Sequence, residues 1–195
     1  MAILEVLKYP DPRLREISKP VEKFTADLKK LAADMLETMY SENGIGLAAP
    51  QVGQLIRMLV IDTSPRDTKG RYEKNEMSEL ESQIDQPLVI INPEIVKGEG
   101  KTTFSEGCLS VPSFFEDVER FQTIELKYQD LDGNSKILKA DGLLAICIQH
   151  EMDHLEGTLF IDHLSFIKSN KIKNSIKKHG YPVKEKDEEK EEVKV

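Results

Sequence analysis

Only two cysteines occur in the 195 residues, Cys108 and Cys147, and they stand far apart. Two are too few for a disulfide framework, and a reducing compartment would keep both as thiols available to a metal or to chemistry. The chain also lacks any stretch near the roughly 20 apolar residues that a membrane span requires. Its opening, Met1-Ala2-Ile3-Leu4-Glu5-Val6-Leu7-Lys8, has no basic leader and carries an acid inside its apolar run, so it does not read as a secretion signal. The expected location is the cytoplasm. A basic excess is missing too: the formal net charge is −8, which repels nucleic-acid phosphates and anionic lipid, whereas binding to either needs a basic face. The expected partner is a peptide or small molecule, with no direct nucleic-acid binding and no membrane.

What is present is ordinary for a globular chain, with 39% hydrophobic and 32% charged residues. The length suits one domain with a real core, read here as residues 1–180. Ten of the last twelve residues are charged and cannot bury enough surface to offset the entropy of ordering, so residues 181–195 read as a solvated tail. Residues 63–86 are similarly polar and are expected to form a long surface excursion. Apolar residues at Leu28, Leu31, Ala32, Met35, Leu36 and Met39 predict an amphipathic helix over 25–40, with Thr25 as N-cap and Gly44 beyond its end.

From 57 to 140 the pattern changes to short strand-like runs at 58–62, 88–92, 101–105, 117–121, 124–129 and 136–140, mostly antiparallel, with Asp132-Gly133 as a hairpin turn. Asp141 then reads as the N-cap of a helix running to about Leu155, with Gly157 terminating it in a left-handed conformation. Leu143, Ile146 and Cys147 lie on one side of that helix and Leu144, Ile148, Met152 and Leu155 on another, so it must be buried. A last helix is expected over 165–178 with Phe166, Ile172 and Ile176 on its inner face.

His150-Glu151-Met152-Asp153-His154 is an HExxH arrangement. Residues four apart share a helix face, so the two imidazoles can converge on one ion with Glu151 beside it. The bland alternative is a pair of surface histidines. On a helix that is apolar all round, however, two imidazoles and two carboxylates would leave water with nothing to offset the cost, and metal ligation removes that objection. A catalytic site then needs a third protein ligand and an open position. Zinc proteases with HExxHxxGxxH place a third histidine where this chain has Phe160. His163 is a substitute with no motif behind it, and it would make the chain a zinc metallopeptidase. Cys147 lies one turn before His150, but an ion midway between the histidines would be about 7 Å away along the axis at 1.5 Å per residue, too far for a cysteine side chain. Cys108 remains, in Glu106-Gly107-Cys108-Leu109-Ser110, where a strand ends, Gly107 permits an unusual turn, and a thiolate can approach the helix from outside. A structural zinc module would need a fourth ligand from Cys147, His163 or His179, none of which has supporting spacing.

Three blocks now coincide: Gly44-Ile45-Gly46-Leu47-Ala48-Ala49-Pro50-Gln51, Glu106-Gly107-Cys108-Leu109-Ser110 and Gln149-His150-Glu151-Met152-Asp153-His154-Leu155. In this order and spacing they resemble the three motifs of bacterial peptide deformylase. The similarity extends from about Val6 through Leu164, including Tyr9-Pro10-Asp11-Pro12-Arg13-Leu14-Arg15, and leaves the termini and residues 63–86 outside.

The resemblance implies an α+β fold in which antiparallel strands wrap a buried central helix carrying HExxH, with N-terminal and C-terminal helices. It also implies removal of the N-formyl group from the initiator methionine of nascent polypeptides, with release of formate. An ion held by Cys108, His150 and His154 would acidify a water, and Glu151 would take the water's proton and pass it to the departing amine. By resemblance, the side-chain amide of Gln51 and the backbone N–H of Leu109 meet the charge that develops on the formyl oxygen. Substrate would lie along the Ile45-Gly46 backbone as an added strand, near Gly107, with its methionine in a slot formed by Ile45, Leu143, Ile146 and Cys147. Leu143, Ile146 and Cys147 precede His150 by seven, four and three residues, on the ligand face of the helix. The family suggests one divalent ion per chain, Fe2+ in the cell, with Zn2+, Ni2+ or Co2+ in purified material, and a monomer acting on nascent chains at the ribosome. At Ser113-Phe114-Phe115 the chain departs from relatives that carry a basic residue near the substrate, so preference beyond methionine does not follow.

Overall fold

The computed structural model describes residues 2–64 and 77–181. Most of the expected tail and the middle of the expected excursion therefore lie outside the described residues. The remainder contains three α-helices and seven strands, in the order α1 (Ala26–Ser41), β1 (Gly46–Ala48), β2 (Met58–Ile61), β3 (Leu88–Glu99), β4 (Thr102–Cys108), β5 (Val111–Arg120), β6 (Thr123–Gln129), β7 (Ser135–Ala140), α2 (Gly142–Leu155) and α3 (Phe166–His179). An antiparallel five-stranded sheet runs β1-β2-β3-β6-β7, and β4 and β5 form a separate hairpin. Among the described residues no helix is long and apolar enough to cross a membrane.

Strand β2, Met-Leu-Val-Ile, is buried throughout because helices cover both its faces. Side chains alternate across a strand, so Met58 and Val60 pack with Leu28, Ala32, Met35 and Met39 of α1, while Leu59 and Ile61 pack with Leu144, Ala145, Cys147 and Ile148 of α2. Ile91 and Ile90 of β3 divide in the same way. A third apolar cluster joins Val111 and Val118 of β5 to Ile172 and Ile176 of α3 through Leu159, Phe160 and Ile161. The motif helix α2 thus lies between the large sheet and the β4-β5 hairpin, which accounts for its having no polar face.

Helix α1 starts as expected, with the Thr25 hydroxyl accepting from the Leu28 N–H at 3.3 Å. Strand β3 is longer than expected. The expected run ends at Asn92, but the pairing with β6 shifts register between Ile91 and Glu94, and a proline without an N–H is tolerated at such a bulge. Asn92, at φ 52°, bonds Val21 through its side chain in both directions, at 2.8 and 2.9 Å, and so ties the N-terminal segment to the sheet. Strand β1 was not expected at all. The expected inward face of α3 needs one correction: Ile172 and Ile176 are buried, but Phe166 is 81% exposed, because it stands in the first turn before the helix reaches the hairpin cluster.

Gly157 ends α2 at φ 68°, as the sequence suggests. A Cβ there would lie 2.5 Å from the backbone oxygen of Arg15, whose guanidinium returns to bond Gly157 O and Asp162. Gly157→Ala is accordingly expected to cost about 2 kcal/mol, from left-handed strain and this backbone clash together. Urea denaturation measures it, and a loss under about 0.5 kcal/mol would mean that the Arg15 segment yields freely.

Candidate metal centre

Ten consecutive or near-consecutive positions of α2 are buried, and they include His150, Glu151 and His154. Cys108 reaches them from the last residue of β4, where the hairpin pairs Cys108 with Val111. The ligand atoms of Cys108, His150 and His154 all lie within 4.8 Å of one another, and Cys108 Sγ is 3.3 Å from His154 Nε2. Tetrahedral bonds of 2.0–2.3 Å to one ion would separate ligand atoms by about 3.3–3.8 Å. The three side chains therefore need little movement to share an ion.

His150 is oriented from behind. Its Nδ1 meets Glu106 Oε2 at 2.8 Å, which turns Nε2 toward the cysteine and leaves that atom without a protein partner. Arg120 holds Glu106 with two bonds of 2.8 and 2.9 Å, and its third reaches Asp153 Oδ2 at 2.7 Å. Burial opposes charge on Glu106, but bonds from Arg120 and His150 outweigh it and hold the pKa at about 2. Burial likewise works against a charged His150, and the Cys108 and Glu106 side chains beside it overcome that and raise its pKa well above the imidazole range. His154 behaves oppositely: burial, aided by the charge on His150, pushes it down to about 3, so it presents a neutral lone pair. A sulfur and two imidazoles gathered out of water, with a carboxylate behind one ring, make a donor set suited to a divalent cation.

Glu151 is fully buried, and among the described residues neither carboxylate oxygen has a hydrogen-bond partner. Burial raises its pKa to about 7, so a proton can be taken up or released there near neutrality. Gly46 explains how Glu151 fits: a Cβ on residue 46 would lie 2.5 Å from Glu151 Oε1 and 2.7 Å from Cys147 Sγ. Glycine is thus needed for β1 and α2 to approach. Gln51 stands in a 3-10 turn (Ala49–Val52), and its Oε1 accepts the Ala48 N–H at 2.7 Å. That bond assigns its Nε2 to the site side, where it donates to Ser110 Oγ at 3.2 Å and faces Cys108 Sγ at 3.6 Å.

The other residues singled out from the sequence lie as follows. Ile45 and Cys147 adjoin, with Cys147 Sγ 3.7 Å from the Ile45 carbonyl, and burial keeps that thiol protonated by raising its pKa well above the ordinary value. Ile146 is buried, and Leu143 is half-buried against the apolar cluster that holds Ile45 and Cys147. Leu109 is buried, its side chain close against Gly44, and Gly107 lies directly under the Phe115 ring. Cys147 and His179 do not join the ligand cluster. Neither does His163, whose Nε2 bonds Asp153 Oδ2 at 2.7 Å instead. Phe160, at the third-histidine position of the protease motif, is buried and stacks on His150 with centroids 6.3 Å apart.

Glu106, Arg120 and Ser110 were not singled out from the sequence as site residues. Glu106 carried a usable signal, since residues two apart on a strand share a face and Cys108 is two residues on. Arg120 carried none, because its partners are 14 and 33 residues away in sequence. The start of α2 differs from expectation in one respect: Asp141 is the N-cap residue but makes no side-chain cap bond.

A family model described as polypeptide deformylase matches residues 3–170. A peptide deformylase of Alkalilimnicola ehrlichii is 47% identical over 178 residues, covering 91% of each chain. Among solved structures, a peptide deformylase from Legionella pneumophila is similar with a TM-score of 0.77 and 41% identity, over 91% of this chain and 95% of that one. One from Ehrlichia chaffeensis in complex with actinonin has a TM-score of 0.79 and 42% identity, over 92% and 99%.

Removing the support behind His150 should weaken the centre without touching a ligand. Glu106→Ala is expected to lower Zn2+ affinity by roughly 10–100-fold in a chelator competition, and a change within about twofold would show that His150 is oriented by other means.

Proposed function

This chain belongs to the polypeptide deformylase family, and from that premise we propose which of its residues carry the reaction. It is a metal-dependent hydrolase that removes the N-formyl group from the N-terminal methionine of newly made polypeptides. In our reading Cys108, His150 and His154 hold one divalent ion, and three protein ligands leave a position open for water or substrate. The observation that carries this reading is the meeting of a sulfur and two imidazoles from separate elements, around buried nitrogen and carboxylate atoms that have no protein partner. An ion held there would polarise the formyl oxygen and make a water acidic enough to attack near neutral pH.

The chain supplies the remainder. Glu151 accepts the water's proton on a carboxylate oxygen and later gives it to the departing amine nitrogen. Gln51 Nε2, aimed by the Ala48 bond, and the Leu109 N–H are donors for the formyl oxygen as charge builds on it. The Ile45-Gly46 backbone lies at the free edge of the sheet, beyond β2, and can accept an extended peptide as one more strand beside Gly107. Ile45, Leu143, Ile146 and Cys147 form the slot for the methionine side chain. A thiolate with two imidazoles suits iron(II) or zinc, and we assign Fe2+ in the cell with Zn2+, Ni2+ or Co2+ able to replace it in purified protein. We further assign residues 1–180 to a single catalytic domain followed by a charged tail, and a monomer that meets nascent chains in the cytoplasm, at the ribosome. The peptidase reading through His163 is not favoured, since that ring is engaged with Asp153.

Two substitutions and one treatment test the assignment. Cys108→Ala is expected to abolish both bound metal and formate release from a formyl-Met peptide; retained metal would return His163 to consideration. Glu151→Ala should keep its metal yet lose at least about 100-fold in kcat, and unchanged turnover would remove Glu151 from the proton path. Stripping the metal with a chelator should stop formate release, and adding back Ni2+ or Co2+ should restore it.

A further inference from the structure

Helix α2 begins without help from its own N-cap side chain, because the Asp141 carboxylate accepts from Ser78 Oγ instead. The first turn is met from elsewhere in the chain. Glu81, 2% exposed, accepts the Leu144 N–H through Oε1 at 3.2 Å, across 63 residues of sequence. The same oxygen takes the Thr63 hydroxyl at 2.5 Å, and the Glu81 N–H donates to Ser78 Oγ at 2.9 Å. Thr63 also donates its N–H to Gln86 Oε1 at 2.8 Å, which joins the two ends of the polar excursion. Gly142, at φ 58°, leaves room for this approach: a Cβ there would lie 2.8 Å from Glu81 Oε2. The base of the excursion is therefore a closed polar knot that places one acid under the positive end of the motif helix.

We propose that Glu81 is a positioning and specificity-determining residue, which fixes the first half of α2 and thereby the width of the methionine slot. The proposal rests on the functional reading above. Leu143, Ile146 and Cys147 all lie within the first six residues of α2, next to the amide that Glu81 holds. An uncapped first turn frays, and half-buried Leu143 is the first slot residue to move. His150 lies about 9 Å beyond Leu144 along the axis at 1.5 Å per residue and is held separately by Glu106. Loss of Glu81 should therefore change which side chain is accepted and leave the metal in place.

The test compares kcat/KM for formyl-Met and formyl-Ala peptides of otherwise identical sequence, using the full metal-loaded chain. Glu81→Ala is expected to reduce the Met-over-Ala preference by about fivefold with metal content unchanged. Glu81→Gln keeps an acceptor in the same place and should hold the preference near wild type. A purely structural role would remove active molecules, lower both rates together and leave the ratio unaltered, and that result overturns the proposal. So does an equal loss of preference in Glu81→Gln. If the alanine variant does not fold, Thr63→Val, which removes the hydroxyl that holds the carboxylate, should shift the ratio in the same direction by a smaller factor, and no shift overturns the proposal as well. Wild-type protein that releases formate from neither peptide would instead remove the functional reading itself.

Discussion

The Glu106 carboxylate is the joint on which the rest of this structure depends. It sits on β4, accepts twice from Arg120 at the end of β5, and meets His150 in the middle of α2. A buried charge is costly to leave unpaired, and a fully satisfied set of buried charges is worth less in net stability than in the single arrangement it enforces. Here that arrangement brings the hairpin and the helix together at one distance and one angle. Cys108 rides on the same strand two residues on, so the bond that turns His150 also sets where the sulfur arrives. Chemistry that needs ligands from two elements to meet within a few tenths of an ångström gains from a tie this direct.

Around that joint, apolar packing does the coarse work. The large sheet supplies a flat face of Leu59, Ile61, Ile90, Ile124 and Leu126 to α2, and its other face to α1. Helix α2 can therefore be apolar on every side except where the hairpin supplies charged partners. Its polar residues leave water because those partners exist: buried Gln149 bonds Phe121 in both directions, and half-buried Asp153 is shared by Arg120 and His163. Glu151 is the exception: among the described residues its carboxylate has no hydrogen-bond partner, and it is the residue we assign to the proton path.

Much of this was legible from residue order, for reasons that separate clearly. The spacing of His150 and His154 is local, so helix geometry alone brought them to one face, and the lack of a polar face on α2 required burial. Strands β2 and β6 could be read because their apolar residues run continuously or alternate. Strand β1 could not, since Gly46-Leu47-Ala48 is too short to show a period and pairs only because β2 lies beside it. The expected run ends at Asn92, short of the strand's true end, because the bulge that lets β3 continue through Pro93 belongs to the pairing with β6 and not to β3 itself. Phe166 followed the apolar period of α3, yet the hairpin does not extend far enough to cover it. Arg120 and Glu81 act across long sequence separations on partners that no periodicity links, so neither could be read as part of the site.

The bond from Arg120 to Asp153 also bears on how portable the motif is. HExxH is written with two free letters, but in this protein the second of them is bound to a strand and to His163, and the first, Met152, packs against the apolar core. Transplanted into another scaffold, the five residues would carry both rings and the carboxylate while leaving behind the anion that decides which ring nitrogen points outward. The smallest unit that could be moved intact is the helix together with its hairpin.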